Sequence, residues 1–239
     1  MPAAAGTIIT TTTMTTITTT EPALLRLLAW LSPAFPTGGF AYSHGIEWAV
    51  EAGDVADEAG LRVWLEDVIA CGAGRSDAIL LHHAHRAAHD ADALAEIAEL
   101  AAASAPSRER RMETLNQGAA FLLAASAWND SPLLARGRGE QVAYPVAVGA
   151  LAGRHGVDSH AACCGYLQAV AANLISAAIR LVPLGQSAGL RVLAALESVL
   201  LATAREAALA TLDDLGGCAF RSDLASMRHE TQYTRLFRS

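Results

Sequence analysis

Residues 159–179, SHAACCGYLQAVAANLISAAI, run for 21 positions without an Asp, Glu, Lys or Arg. A stretch of this length can span a bilayer or form the central helix of a soluble bundle, so its reading decides the fold. It holds His160, Gln168 and Asn173, and its apolar content is mostly alanine, which supplies little transfer energy beside leucine. The core-helix reading is therefore preferred, with Asp158 as its N-cap and Pro183-Leu184-Gly185 as its stop. A second uncharged run, Gln141 to Gly153, reads as a neighbouring core helix with Pro145 near its start.

The rest of the chain extends this pattern. Of 239 residues, 52% are hydrophobic and 17% charged, and much of the apolar excess is alanine, a strong helix former that lets helices approach closely. A helix opens at Pro22 with Leu24, Leu25, Leu27, Leu28 and Leu31. Asp57 caps another, whose Leu61, Trp64, Leu65, Val68 and Ile69 follow one face. Further helices are expected from Ser76 to about His89, from Asp92, and from Pro106-Ser107 with Met112, Leu115, Phe121 and Leu122, ending near "NDSP" before a loop at Gly137–Gly139. The stripe Val192, Leu196, Val199 and Thr203 marks one more. No strand alternation appears after residue 20. The expected fold is all-α: about ten helices in one domain over 22–220, after a low-complexity, disordered Thr-rich extension at 1–21 and before an Arg/aromatic tail at 221–239.

The charge balance narrows function. Net charge is −7 and pI about 5.6 without a dense basic patch, which argues against nucleic acid as the main partner. All 17 basic residues are arginine, so neither a Walker-type phosphate loop nor lysine Schiff-base chemistry is available. Cys71, Cys163, Cys164 and Cys218 form no C-x-x-C pair. Their sparseness, with no secretory signal, fits a cytoplasmic protein.

Three stretches could carry function. In "LHHAHRAAH", His82, His85 and His89 share one side of a helix and are candidate ligands for nickel or zinc, although no acidic or thiol group completes a site; the alternative is a solvated face. In "SPAFPTGGFAYSHGIE", 32–47, Ser43, His44 and Glu47 are residue types of a hydrolase triad. Adjacent helical residues point about 100° apart, so Ser43 as the cap of a helix through Val50 is the better reading. Gly38 and Gly39 then serve a sharp turn that buries Phe40. The ending "FRSDLASMRHETQYTRLFRS" carries a charge of about +2 against −9 for everything before it, with Leu224, Met227, Tyr233, Leu236 and Phe237 as apolar anchors. Arginine interleaved with aromatics suits an interface segment that orders on binding.

Taken in order, "SPAFPTGGFAYSHGIEWAVEAG", "SAAIRLVPLGQ" and "HETQYTRLFRS" resemble the UreF family of urease accessory proteins over about residues 22–239. The resemblance implies a cytoplasmic, all-helical, homodimeric chaperone with no enzymatic activity and no cofactor of its own. It implies binding to a UreD/UreH-type accessory protein and then to the GTPase UreG, the assembly docking on apo-urease. Nickel and GTP are handled by that partner complex, and neither nucleic acid nor membrane is engaged. Carried over by position, the motif residues are Pro36, Gly38, Gly39, Phe40, Ser43, Gly45 and Glu47, then Arg180, Pro183, Gly185 and Gln186, then Arg235, Leu236 and Phe237. Tyr42, Arg228 and Tyr233, from the same stretches, join them as partner-binding candidates. Leu190 departs from an expected glutamine. A direct nickel carrier using His82, His85 and His89 is the alternative function. On the interface reading, deleting 221–239 is expected to abolish partner binding and leave the helical fold intact.

Overall fold

The computed structural model describes residues 19–128 and 142–239. Residues 1–18 of the extension expected over 1–21, the "NDSP" end and the Gly137–Gly139 loop lie outside the described residues. Thr19 to Glu21 are instead part of the fold, Thr19 accepting the Asp158 N–H and Thr20 capping the helix that starts at Glu21. Among the described residues, every regular element is helical: α1 (Glu21–Trp30), α2 (Ile46–Glu51), α3 (Glu58–Cys71), α4 (Ala73–Arg86), α5 (Ala91–Ala103), α6 (Arg108–Ala125), α7 (Tyr144–Arg154), α8 (Ser159–Leu181), α9 (Gln186–Ala195), α10 (Glu197–Leu209) and α11 (Phe220–His229).

The caps at Asp57, Ser107 and Asp158 act as expected, each side chain accepting a backbone N–H three residues on. Three boundaries differ. Asp90 rather than Asp92 caps α5, accepting from the N–H groups of both Asp92 and Ala93. Helix α4 starts at Ala73, because Gly72 and Gly74 let it turn tightly off α3: a Cβ on Gly74 would come within 2.7 Å of the Ile69 backbone. The Val192–Thr203 stripe is divided between α9 and α10, which meet at 43°.

Helix α7 explains its uncharged run: every residue from Tyr144 to Ala152 is buried, because α4, α5, α6 and α8 surround it. Its closest neighbour is α4. A Cβ on Gly149 would sit 2.3 Å from the Leu81 carbonyl oxygen, and one on Gly153 would sit 2.5 Å from that of His85. Helix α8 is long and apolar enough to cross a membrane, yet half of its most apolar window is buried within the fold. Cys163, Tyr166, Leu167, Leu174 and Ala178 face inward, and α2, α3, α4, α7, α9 and α10 pack around it. It is the core helix of the bundle.

Candidate functional site: a C-terminal segment seated under the glycine loop

Helix α2 is entered through two left-handed residues, His44 (φ 59) and Gly45 (φ 79), with Gly45 as the N-cap. The expected Ser43 cap is thus displaced by two residues. The Ser43 hydroxyl lies 3.3 Å from the Glu47 N–H, but it donates to the Ser239 carbonyl at 2.5 Å. Gly45 is fixed by more than its φ, since a Cβ would fall 2.7 Å from the Ser226 nitrogen of α11. Helix α11 therefore crosses α2 backbone to backbone at this point.

The stretch after α11 returns across α2 and α6, and its backbone groups are satisfied one after another. Glu47 accepts from the N–H of Leu236 at 2.6 Å and of Phe237 at 2.9 Å. The Arg238 N–H donates to Ala41 O at 2.8 Å, and Ser239 O accepts the Ser43 N–H at 2.6 Å. His229, fully buried, sets Nε2 3.1 Å from Glu47 Oε2 and Nδ1 2.7 Å from Glu109 Oε2, so each ring nitrogen faces a carboxylate. Arg235 donates to the other Glu109 oxygen at 3.0 Å, and the Ser239 hydroxyl to Glu113 at 2.8 Å. At the far end of α11, the Ser107 and Ser226 hydroxyls meet at 2.6 Å, while Glu230 accepts the Arg108 N–H. Buried carboxylates persist only when matched by donors in this way.

The tail expected to be ordered by a partner is thus seated on the protein itself. Glu109, Glu113 and His229, which make the seat, and Gln117, which donates to Glu113, were not legible as functional residues. On α6 they form an i, i+4, i+8 polar stripe, the ordinary sign of a solvent face, whereas Met112, expected inside, is 39% exposed.

Arg180, in the last turn of α8, joins the second sequence block to the other two. Its guanidinium lies 4.4 Å from the buried Phe237 ring centre and donates to Phe40 O at 3.1 Å. Asn173 donates to Gly39 O at 3.0 Å. With its carbonyls tied to α8, the loop throws the Phe40 side chain outward, 76% exposed, and corrects the expectation that it is buried. Tyr42 is buried, its hydroxyl accepting from Asn116. Pro36, Pro183, Gly185, Gln186 and Leu190 are exposed, the last four around the α8–α9 corner. Arg228, Tyr233 and Leu236 point to solvent, as do Leu224 and Met227, so of the expected apolar anchors only Phe237 is one.

Beneath the loop lies a cleft of about 460 Å³, with Pro33, Phe35 and Phe40 at its mouth and His44, Asp77, Arg110 and Glu113 on its floor. Arg110 Nη1 pairs with Glu113 at 2.5 Å, and its buried Nε has no partner. Burial opposes ionisation of Glu113, yet the Arg110 charge and His44 hold its carboxyl well below the usual carboxylate range. Burial pushes the Asp77 carboxyl up to about 6, against the Arg110 charge and the hydroxyl that Tyr166 donates at 2.7 Å. Asp77 keeps some exposed surface, but its carboxyl is enclosed by protein. The folded value exceeds the unfolded one, so this group's stabilisation is full below about pH 4 and lost as pH rises through about 6. Asp77→Asn should therefore gain on the wild type by roughly 1 kcal/mol between pH 5 and pH 8 in urea unfolding. A constant difference across that range would place the titration elsewhere.

The histidines do not converge. His82 is buried between Ser159 Oγ and Ala204 O, His83 meets Ala210 O, His85 meets Val157 O at 2.8 Å, and His89 is exposed. Each of the first three ties α4 to a neighbouring segment by capturing a free polar group, which separates them as ligands. Among the described residues no group of three His, Cys, Asp or Glu side chains is placed to hold a metal ion. Burial lowers His82 to about 4, so its contribution is present above pH 6.5 and erodes as pH falls towards 4.

Fold and site together define an all-helical protein whose three sequence signatures converge on one self-seated C-terminal segment. The model of the UreF family matches residues 55–197. The chain is 60% identical over 224 residues to a urease accessory protein UreF of a Bradyrhizobium species, covering 92% of this chain and 93% of that one. A Rhodopseudomonas palustris protein of the same name is 57% identical, covering 91% and 92%, and one from Mesorhizobium japonicum is 56% identical, covering 91% and 96%. The chain belongs to the UreF family.

Proposed function

We propose that this protein is a urease maturation chaperone. It is a cytoplasmic, homodimeric scaffold without catalysis of its own, bridging a UreD/UreH-type accessory protein and the GTPase UreG on apo-urease. GTP hydrolysis by UreG is thereby coupled to insertion of nickel, the cargo of the assembly. Family membership supports the setting.

The observation that carries the interface is the contrast between backbone and side chains in 230–239. The backbone is pinned by Glu47, Ala41 and Ser43, while Tyr233 is fully exposed and Leu236 is 57% exposed. Large apolar side chains on an already ordered backbone give up little conformational entropy on docking, the economy of a preorganised interface.

The experiment is co-purification of the UreD/UreH-type partner with a Tyr233→Ala, Leu236→Ala variant. Both side chains lie outside the seat, so the Tm should hold, while partner affinity falls about tenfold or more. Normal partner recovery would remove this face from the interface. Deleting 221–239 is a poorer test than the sequence suggests, because it removes the donors that the segment brings to Glu47 and Glu109, with one of those on Glu113, and unsettles the fold as well.

A further inference from the structure

Two of the four free cysteines meet at the root of the C-terminal segment. Cys71 ends α3, and Cys218 lies two residues before α11. The Cys218 N–H donates to Cys71 O at 2.8 Å. The two stretches are packed tightly on either side: a Cβ on Gly217 would sit 2.6 Å from Cys71 O, and one on Gly72 would sit 2.8 Å from Ala219 Cβ. A disulfide needs α-carbons roughly 4.4–6.8 Å apart, a separation that a direct backbone hydrogen bond between the two residues readily provides. Cys218 is exposed and Cys71 half-buried, and Arg75 places a cation beside them, donating to Asp214 O and Gly216 O. Cys163 and Cys164, neighbours on α8, have no such opposed geometry.

We propose that Cys71 and Cys218 are a reversible redox pair, closed into a disulfide by exchange with a low-molecular-weight disulfide such as oxidised glutathione. The exposed Cys218 thiolate attacks that disulfide, forming a mixed disulfide and expelling one glutathione thiolate. Cys71, deprotonated in turn, attacks the Cys218 sulfur and expels the second. The protein loses two protons and two electrons, and one oxidised glutathione becomes two reduced ones. Burial, and then the neighbouring Cys218, pushes the Cys71 thiol up, so the exposed Cys218 attacks first and Cys71 follows only once the mixed disulfide is held beside it. The bond staples the end of α3 to the entry of α11, and so fixes the root of the segment that closes over Glu47.

The test uses the purified full chain incubated with oxidised glutathione. Free thiols should fall from four to two. Non-reducing peptide mass spectrometry should find Cys71 joined to Cys218 within one chain, and the Tm should rise by roughly 5–10 °C. Reduced glutathione should restore the starting state. Cys71→Ser should instead retain glutathione on Cys218, and Cys218→Ser should keep all remaining thiols free; neither side chain is a core residue, so both variants fold. Wild type that accumulates glutathione on Cys218 while Cys71 stays free, or that cross-links only between chains, overturns the proposal.

Discussion

Glu47→Ala is expected to cost about 3–5 kcal/mol of folding stability, the range for removing one partner of a buried charged network. Its carboxylate is a shared acceptor. It takes the backbone N–H groups of Leu236 and Phe237, and Nε2 of the fully buried His229. Without it, three donors lose their acceptor, two of them, the Phe237 N–H and the His229 ring, in buried surroundings, and His229 keeps Glu109 alone. For a chain of this size the Tm should fall by roughly 10 °C, and the Leu236 and Phe237 amides should lose their protection from hydrogen exchange. Glu47→Gln should fall between, since one amide oxygen still accepts while the NH₂ group faces the remaining donor. A loss below about 1 kcal/mol for the alanine variant, the size of one ordinary hydrogen bond, would mean that the segment is held by Phe237 and Arg180 instead.

Gly149→Ala is the second large effect, at about 2–4 kcal/mol from a single methyl group. The new Cβ would stand 2.3 Å from the Leu81 carbonyl oxygen and 3.0 Å from its α-carbon. Both are backbone atoms of α4, so relief requires that two buried helices separate, not that a side chain rotate. Because α7 is enclosed on all sides, that separation opens space along the whole α4 contact. Gly185→Ala is the matched control: its φ is −79° and a Cβ there meets nothing within 4 Å, so stability should hold or rise slightly. Chemical denaturation of the two variants decides the matter. Equal stabilities would show that α4 and α7 can part without cost.

The helices were legible in the sequence because they obey local rules. Asp57, Ser107 and Asp158 cap where capping chemistry predicts, and the uncharged runs give α7, buried from Tyr144 to Ala152, and α8, around which six helices pack. The site was legible only in pieces. The glycine loop, Arg180 and the terminal Leu236-Phe237 stand out as signatures, yet nothing in their spacing says that they touch one another. Phe40 reads as core and is exposed, because Arg180 and Asn173 capture the loop's carbonyls and leave its ring no room inward. Glu109 and Glu113 read as solvent face and are buried, because the docked segment brings its own donors to them.

The sequence by itself determined an all-helical chain, its core helices and the absence of lysine chemistry, since periodicity, caps and composition act within a few residues of chain; its three motif blocks carried the resemblance to the UreF family. Tertiary structure alone decided that the terminal segment closes over α2 and α6. It also decided that the histidines of α4 part company and that Cys71 meets Cys218. Those outcomes join residues 72 or more positions apart in the chain. They depend on which donor reaches which acceptor when water is excluded, and no local pattern encodes that pairing.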